Sequence, residues 1–336
     1  MHRLRYPPFR AIEHRHRSQV LADNPLGDPA ERSLWVLVPP DYDPATPVPC
    51  IWVLTGFTGT GRRLLNYDPW EENLAERLGR LYAEGRMGPV IVALPDCFTY
   101  YGGSQYLNSP AVGRYEDYLV TELVPLVERE HRIRGHGLAG KSSGGYGAFV
   151  QAVRHPDVFR AFACHSGDMA FEYCYLPDFP KFLRHVHELG GLDAYLDAYR
   201  RLREEGRAPS GPWHASLNIL AMAACYSPDP AEPHGIAFPF DLETGALRPE
   251  VWERWLNLDP VRMAGRHAAA LRQLALIYID CGRRDEFHLL WGARQLHREL
   301  ERLAIPHVYE EFDGGHFGIN HRYDVSLPLL WRALAS

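Results

Sequence analysis

The sequence predicts an α/β protein on a mostly parallel, doubly wound sheet, and two observations carry that expectation. Short apolar runs bounded by Gly, Pro and Asp recur along the chain, and segments with helical spacing separate them. The runs Cys50–Leu54, Val90–Leu94, His136–Ala139 and Ala161–Cys164 are too apolar for strands with one wet face. Strands of that kind belong in a parallel sheet covered on both sides by helices.

Taken in order, Gln19–Ala22 and Leu34–Val38 follow each other without a helix between them and are expected to pair as an antiparallel hairpin at a sheet edge. Leu274–Ile279 and His307–Phe312 supply the last strands. Among the helical stretches, Tyr115–Arg129 returns Tyr118, Leu119, Leu123, Leu126 and Val127 to recurring faces, and Leu289–Leu303 repeats Leu or Trp at helical spacing. From about 168 to 263 the alternation stops. Helical segments at Lys181–His187 and Leu192–Glu204 give way to the Pro- and Gly-rich Ser227–Phe240, then to Trp252 and Trp255. This stretch is expected to be a helical insertion packed over one end of the sheet, within a single domain spanning 1–336. Trp213, Trp252 and Trp255 are expected to pack that insertion.

Composition narrows the function classes. The chain is 46% hydrophobic and 23% charged, and 36 basic residues against 42 acidic ones leave a net charge of −6, so no nucleic-acid or membrane-surface partner is expected. Lys141 and Lys181 are the only lysines among many arginines. The six cysteines are scattered with no Cys-x-x-Cys pair, which argues against a disulfide scaffold and a metal cluster. His185-x-His187 lies in an expected helix, where residues two apart diverge, so neither it nor His14-x-His16 is read as a metal site, and no cofactor is expected. Met1–Arg17 is polar and basic rather than a secretory signal, and no run reaches the ~18 apolar residues of a membrane span. A cytoplasmic setting is expected.

The most specific signal is Gly140-Lys141-Ser142-Ser143-Gly144-Gly145, which follows an apolar strand and opens the apolar helical run Tyr146–Val153. A Gly-x-Ser-x-Gly turn between strand and helix presents a serine hydroxyl at the carboxyl edge of a sheet, and its glycines let the two elements close up. With Ser142 as nucleophile the flanking positions are Gly140 and Gly144, whereas Ser143 would need a glycine where Lys141 stands. Gly135–Ser142 also fits the phosphate-loop spacing Gly-x-x-x-x-Gly-Lys-Ser. The charged residues Glu130–Arg134 before it, and the glycine pair after it, speak against a nucleotide site.

A serine needs a base, and the base needs an orienting group, in the chain order Ser, Asp or Glu, His. Phe312-Asp313-Gly314-Gly315-His316 leaves the last strand, which favours His316 over His307 and His321. The segment after Leu274–Ile279 offers Asp280 at the strand tip and Asp285 on the loop, and Asp285 has the longer reach. Backbone N–H groups of Ser143 and of Phe57, in the loop Thr55-Gly56-Phe57-Thr58-Gly59, are the expected oxyanion hole. Gly56, Asp96, Tyr100 and Tyr101 are candidate substrate contacts, the two tyrosines alternatively packing against the insertion.

Together these pieces resemble the esterase D family of α/β-hydrolases, which includes S-formylglutathione hydrolase, enterochelin esterase-like proteins, feruloyl esterases and mycolyltransferases. The markers are Val53-Leu54-Thr55-Gly56-Phe57, Val92-Ala93-Leu94-Pro95-Asp96, the helix Tyr118–Val127, Gly140–Ala148, Cys281-Gly282-Arg283-Arg284-Asp285-Glu286-Phe287 and Gly314-Gly315-His316. The resemblance spans about residues 34–330 and implies an α/β-hydrolase fold with Ser142, Asp285 and His316 as triad. Two motifs depart from the family pattern. Thr55-Gly56 replaces the usual His-Gly, and the elbow reads Gly-Lys-Ser-Ser-Gly-Gly where the family often has Gly-His-Ser-Met-Gly-Gly. The expected activity is hydrolysis of a small carboxylic ester or thioester through an acyl-serine. An acyltransferase with the same triad and a non-catalytic binding protein are the alternatives, and a homo-oligomer is compatible with the sequence.

Overall fold

The computed structural model describes residues 5–336. Eight strands form the central sheet: β1 (Arg10–Arg17), β2 (Glu31–Val38), β3 (Val48–Leu54), β4 (Ile91–Pro95), β5 (Ile133–Lys141), β6 (Phe159–His165), β7 (Leu276–Gly282) and β8 (Val308–Phe312). Their spatial order is β1-β2-β4-β3-β5-β6-β7-β8, with β1 and β2 antiparallel to their neighbours and every pairing from β4 to β8 parallel. The helices that matter for the site are α1 (Leu74–Ala83), α2 (Ser143–Arg154), α3 (Phe179–Leu189), α4 (Leu192–Glu204), α5 (Trp213–Tyr226), α6 (Pro249–Leu256), α7 (Leu289–Arg302) and α8 (Tyr323–Ala335).

Period-2 alternation in β3 shows why its sequence is apolar throughout. Cys50, Trp52 and Leu54 belong to the core on one face, with Phe149 and Phe162, while Ile51 and Val53 belong to the other, with Leu78, Leu327 and Leu330. Every residue of β3 and β4 is buried, as strands between two helical layers must be.

Several elements differ from the sequence expectation. Gln19–Ala22 is not a strand but a turn, and the antiparallel partner of β2 is Arg10–Arg17. This edge strand exposes alternate charged side chains (Arg10, Glu13, Arg15 and Arg17), so it carries no apolar run to read. The expected helix Tyr115–Arg129 is present as Tyr115–Asp117, a π-helical stretch Tyr118–Leu123, and Val124–Glu130. The wide turn precedes Pro125, whose ring and missing N–H disrupt regular i→i−4 bonding. Gly135–Lys141 lies inside β5 and pairs on both sides with β3 and β6, so the phosphate-loop spacing falls on extended strand. Helix α5 was not legible because it is apolar nearly all round and lacks an amphipathic stripe.

Between β6 and β7 the chain builds a layer around aromatic side chains. Phe179 and Phe182 of α3 pack against Phe240, Trp252 meets Phe179 edge-on, and the buried Trp255 donates its indole N–H to Ser227 Oγ at 2.7 Å. Trp213 packs against His185, Tyr195 and Tyr199. No helix among the described residues is long and apolar enough to cross a membrane.

Candidate active site

Ser142 stands between β5 and α2 with φ 58° and ψ −129°, a conformation a non-glycine residue holds only where its surroundings fix it. The surroundings here are backbone. A Cβ on Gly140 would lie 2.1 Å from Gly144 O, and one on Gly144 would lie 2.1 Å from Leu54 O. Both glycines are therefore demanded by the close approach of strand, turn and helix. Gly144→Ala is expected to lower the thermal midpoint by well over 10 °C or prevent folding, since neither obstructing atom belongs to a side chain that could move. A circular-dichroism melt checks this.

His316 follows the glycine pair leaving β8. Its Nδ1 is 2.8 Å from Asp285 Oδ2, and both side chains are buried. Asp285 is held in turn, because its Oδ1 accepts the Phe287 N–H at 3.0 Å. The glycines before His316 are sterically required: a Cβ on Gly315 would lie 2.6 Å from Glu286 Oε1. That carboxylate accepts the backbone N–H of His316 at 2.6 Å and so fixes the loop that carries the imidazole. Glu286 was not singled out from sequence, although its place beside Asp285 was the available signal.

Ser142 and His316 line one cavity of about 230 Å³ together with Gly56, Phe57, Lys141, Asp168, Tyr175 and His214. The hydrogen bond of Ser142 Oγ runs to Asp168 Oδ1 at 3.5 Å, so the serine and imidazole face the same space without a hydrogen bond to each other among the described residues. Gly56 abuts the nucleophile, as a Cβ there would meet Ser142 Cβ at 3.3 Å. The Phe57 and Ser143 N–H groups have no acceptor among the described loop, turn and side-chain hydrogen bonds. An aromatic wall closes the cavity: Phe287 packs edge-on to His316 at 4.7 Å and contacts His214, which meets Phe57.

The Esterase family model matches residues 29–322. The chain belongs to this esterase family. Among solved structures, a ferulic acid esterase is 20% identical over 97% of this chain and 99% of its own, with a TM-score of 0.61. The fluorophosphonate-binding serine hydrolase F of Staphylococcus aureus is 16% identical over 98% and 99%, at 0.59. An S-formylglutathione hydrolase from Agrobacterium tumefaciens is 16% identical over 98% and 96%, at 0.56. No curated protein matches. At these identities the structural likenesses establish a shared α/β-hydrolase fold, and the family match makes the chain a carboxylic ester hydrolase.

The esterase contains a second Ser–His–Asp chain that sequence reasoning could not separate from the first. His165 Nδ1 lies 2.7 Å from Asp280 Oδ1 and its Nε2 lies 2.9 Å from Ser326 Oγ. All three are buried, and Asp280 also receives hydrogen bonds from Tyr278 Oη at 2.9 Å and Arg322 Nε at 2.7 Å. Asp280 thus ties β6 and β7 to the segment leading into α8 and does not meet His316.

Three candidate substrate contacts lie away from the cavity. Asp96 is 3.6 Å from Arg32 Nη1 and accepts the Phe98 N–H. Tyr100 packs edge-on to Tyr199, whose hydroxyl bonds the Tyr100 carbonyl at 2.7 Å, and both Tyr100 and Tyr101 line shallow hollows remote from Ser142. The loop packs its tyrosines against the insertion because the chain turns back through short hairpins at Phe98–Gly103 and Asn108–Arg114.

Asp168 is the residue the sequence did not bring forward. Its Oδ2 accepts from Ser143 Oγ at 2.8 Å, Tyr175 Oη at 2.9 Å and Gln105 Nε2 at 3.3 Å, while Oδ1 faces Ser142. Burial raises this carboxyl above the usual carboxylate range, and the Ser143, Tyr175 and Gln105 donors hold the rise back. The folded state therefore binds the proton more tightly than the unfolded chain, whose aspartate titrates near pH ~3.9. The stability so contributed is present below that pH and is lost as pH rises through the folded-state pKa. Asp168→Asn removes the titration. Its thermal midpoint minus that of the wild type should be more positive at pH 7 than at pH 4, by about 2–4 °C per kcal/mol involved. A difference that does not change with pH would show that Asp168 titrates alike in both states.

Proposed function

We propose that this esterase cleaves its substrate by two-step acyl transfer on Ser142. The observation that carries this reading is the 2.8 Å Asp285–His316 contact in the cavity that also receives Ser142 from its strained elbow. Rotation of Ser142 about Cα–Cβ, away from Asp168, turns its hydroxyl toward His316 Nε2, the nitrogen left free by the contact of Nδ1 with Asp285. His316 then takes the Ser142 proton as Oγ attacks the ester carbonyl. The carbonyl oxygen, now anionic, is held by the Phe57 and Ser143 N–H groups, and the positive end of α2 favours the same charge. His316 returns the proton to the departing alcohol oxygen, leaving an acyl-serine. A water, deprotonated by His316, then attacks the acyl carbon and releases the carboxylic acid and the free Ser142 hydroxyl.

Rapid mixing with 4-nitrophenyl acetate tests this. A burst of nitrophenol stoichiometric with enzyme is expected if deacylation is the slower step, and acetyl on Ser142 is expected in the acid-quenched protein by mass spectrometry. Turnover without any acyl-enzyme on Ser142 in the quenched samples would count against the covalent route. Added alcohol that leaves acetic acid as the sole acyl product would support water as acceptor over the transferase reading.

A further inference from the structure

The reacting cavity presents two cations, Lys141 and Arg63. The other lysine of the chain, Lys181, is paired with Asp178 at 2.6 Å, whereas Lys141 forms no ion pair among the described residues. Lys141 is half-buried, with Nζ 5.2 Å from the centroid of the Phe317 ring. The carboxylates acting on it through space, Asp285 and Glu286, are already engaged by the His316 ring and backbone. Burial lowers the Lys141 pKa, as expected for an ammonium that has shed water and gained no partner. A bound anion would offset that desolvation.

Where the anion would sit follows from the chemistry. His316 gives its proton to the leaving oxygen, so the alcohol part departs on the imidazole side, and Lys141 rests against Phe317, the residue following His316. Lys141, Arg63, Gly56 and Gly59 also line a second cavity of about 520 Å³ adjoining the first. Other charged groups there are engaged: Arg77 with Asp324, Glu72 with Arg80, and Asp68 with the Trp70 and Glu71 N–H groups. The smaller cavity, walled by Phe57, Tyr175, His214 and Phe287, suits the acyl group.

We propose, on the serine-esterase reading, that the alcohol part of the natural ester carries an anionic group such as a carboxylate, held by Lys141 and Arg63. The probe is a pair of acetates with the same acyl group, 4-acetoxybenzoate and its methyl ester. Their kcat/KM ratio is divided by the ratio of their hydroxide-catalysed rates to remove intrinsic reactivity. The corrected ratio should favour the anionic ester by about tenfold, on the order expected of one half-screened ion contact. It should fall about tenfold in Lys141→Met, be largely kept in Lys141→Arg, and shrink with added salt. A corrected ratio near one in the wild type, unchanged in Lys141→Met, would overturn the proposal while leaving the esterase intact. A preference appearing only for mono(4-nitrophenyl) succinate over 4-nitrophenyl pentanoate would place the anion on the acyl side and overturn the assignment to the alcohol. Failure to hydrolyse any of these, with no labelling by a fluorophosphonate, would overturn the serine-esterase reading and this proposal with it.

Discussion

Ser142→Ala is expected to cut kcat/KM for 4-nitrophenyl acetate by about 10⁴-fold or more. The hydroxyl supplies the attacking atom, and no neighbouring group can replace it at the same place. Ser143 Oγ, the other nearby hydroxyl, is held 2.8 Å from Asp168 and lies within α2. The fold should survive the change. Ser142 Oγ makes only the 3.5 Å contact with Asp168, and alanine at φ 58° is no more strained than serine there. Far-ultraviolet circular dichroism and the thermal midpoint should match the wild type, so lost turnover reads as lost chemistry. Activity within tenfold of the wild type would remove Ser142 from the mechanism.

The second large effect is expected at Asp285, and its contrast with Asp280 separates catalysis from stability. Asp285→Asn leaves a side chain of the same shape but one that can donate toward His316 Nδ1, favouring the wrong imidazole tautomer, and kcat should fall by about 10⁴-fold. Asp280→Asn removes the carboxylate shared by His165, Tyr278 and Arg322 in a site with no exposure. Breaking a buried pair of this kind costs about 3–5 kcal/mol, so Asp280→Asn should lower stability in urea by that order while the folded fraction keeps its turnover. The reverse pattern, with Asp280→Asn losing kcat and Asp285→Asn losing only stability, would exchange the roles assigned to the two residues.

The sheet was legible where burial on both faces made strands apolar, as in Cys50–Leu54, and illegible where a strand faces water on its edge, as in Arg10–Arg17. The insertion showed the opposite failure, since Trp213–Tyr226 is too uniformly apolar to display a helical face. In the site, Ser142 and His316 could be found because their turns need glycine at fixed spacings, and the Gly140, Gly144 and Gly315 clashes give the physical reason. Asp168 could not, because nothing local in Ser166-Gly167-Asp168 shows that β6 ends beside the elbow. Nor could Tyr100 and Tyr101 be placed, since their direction is set by packing against Tyr199, a residue far along the chain.

Covalent labelling is the most direct test of the central claim that Ser142, driven by His316, is the nucleophile. The protein is treated with a fluorophosphonate, and the adduct is counted by intact mass and mapped by peptide sequencing. One adduct per chain, on Ser142, is expected, absent in Ser142→Ala and formed orders of magnitude more slowly in His316→Ala. An unlabelled wild-type chain, or an adduct mapped to Ser143 or Ser326, would contradict it.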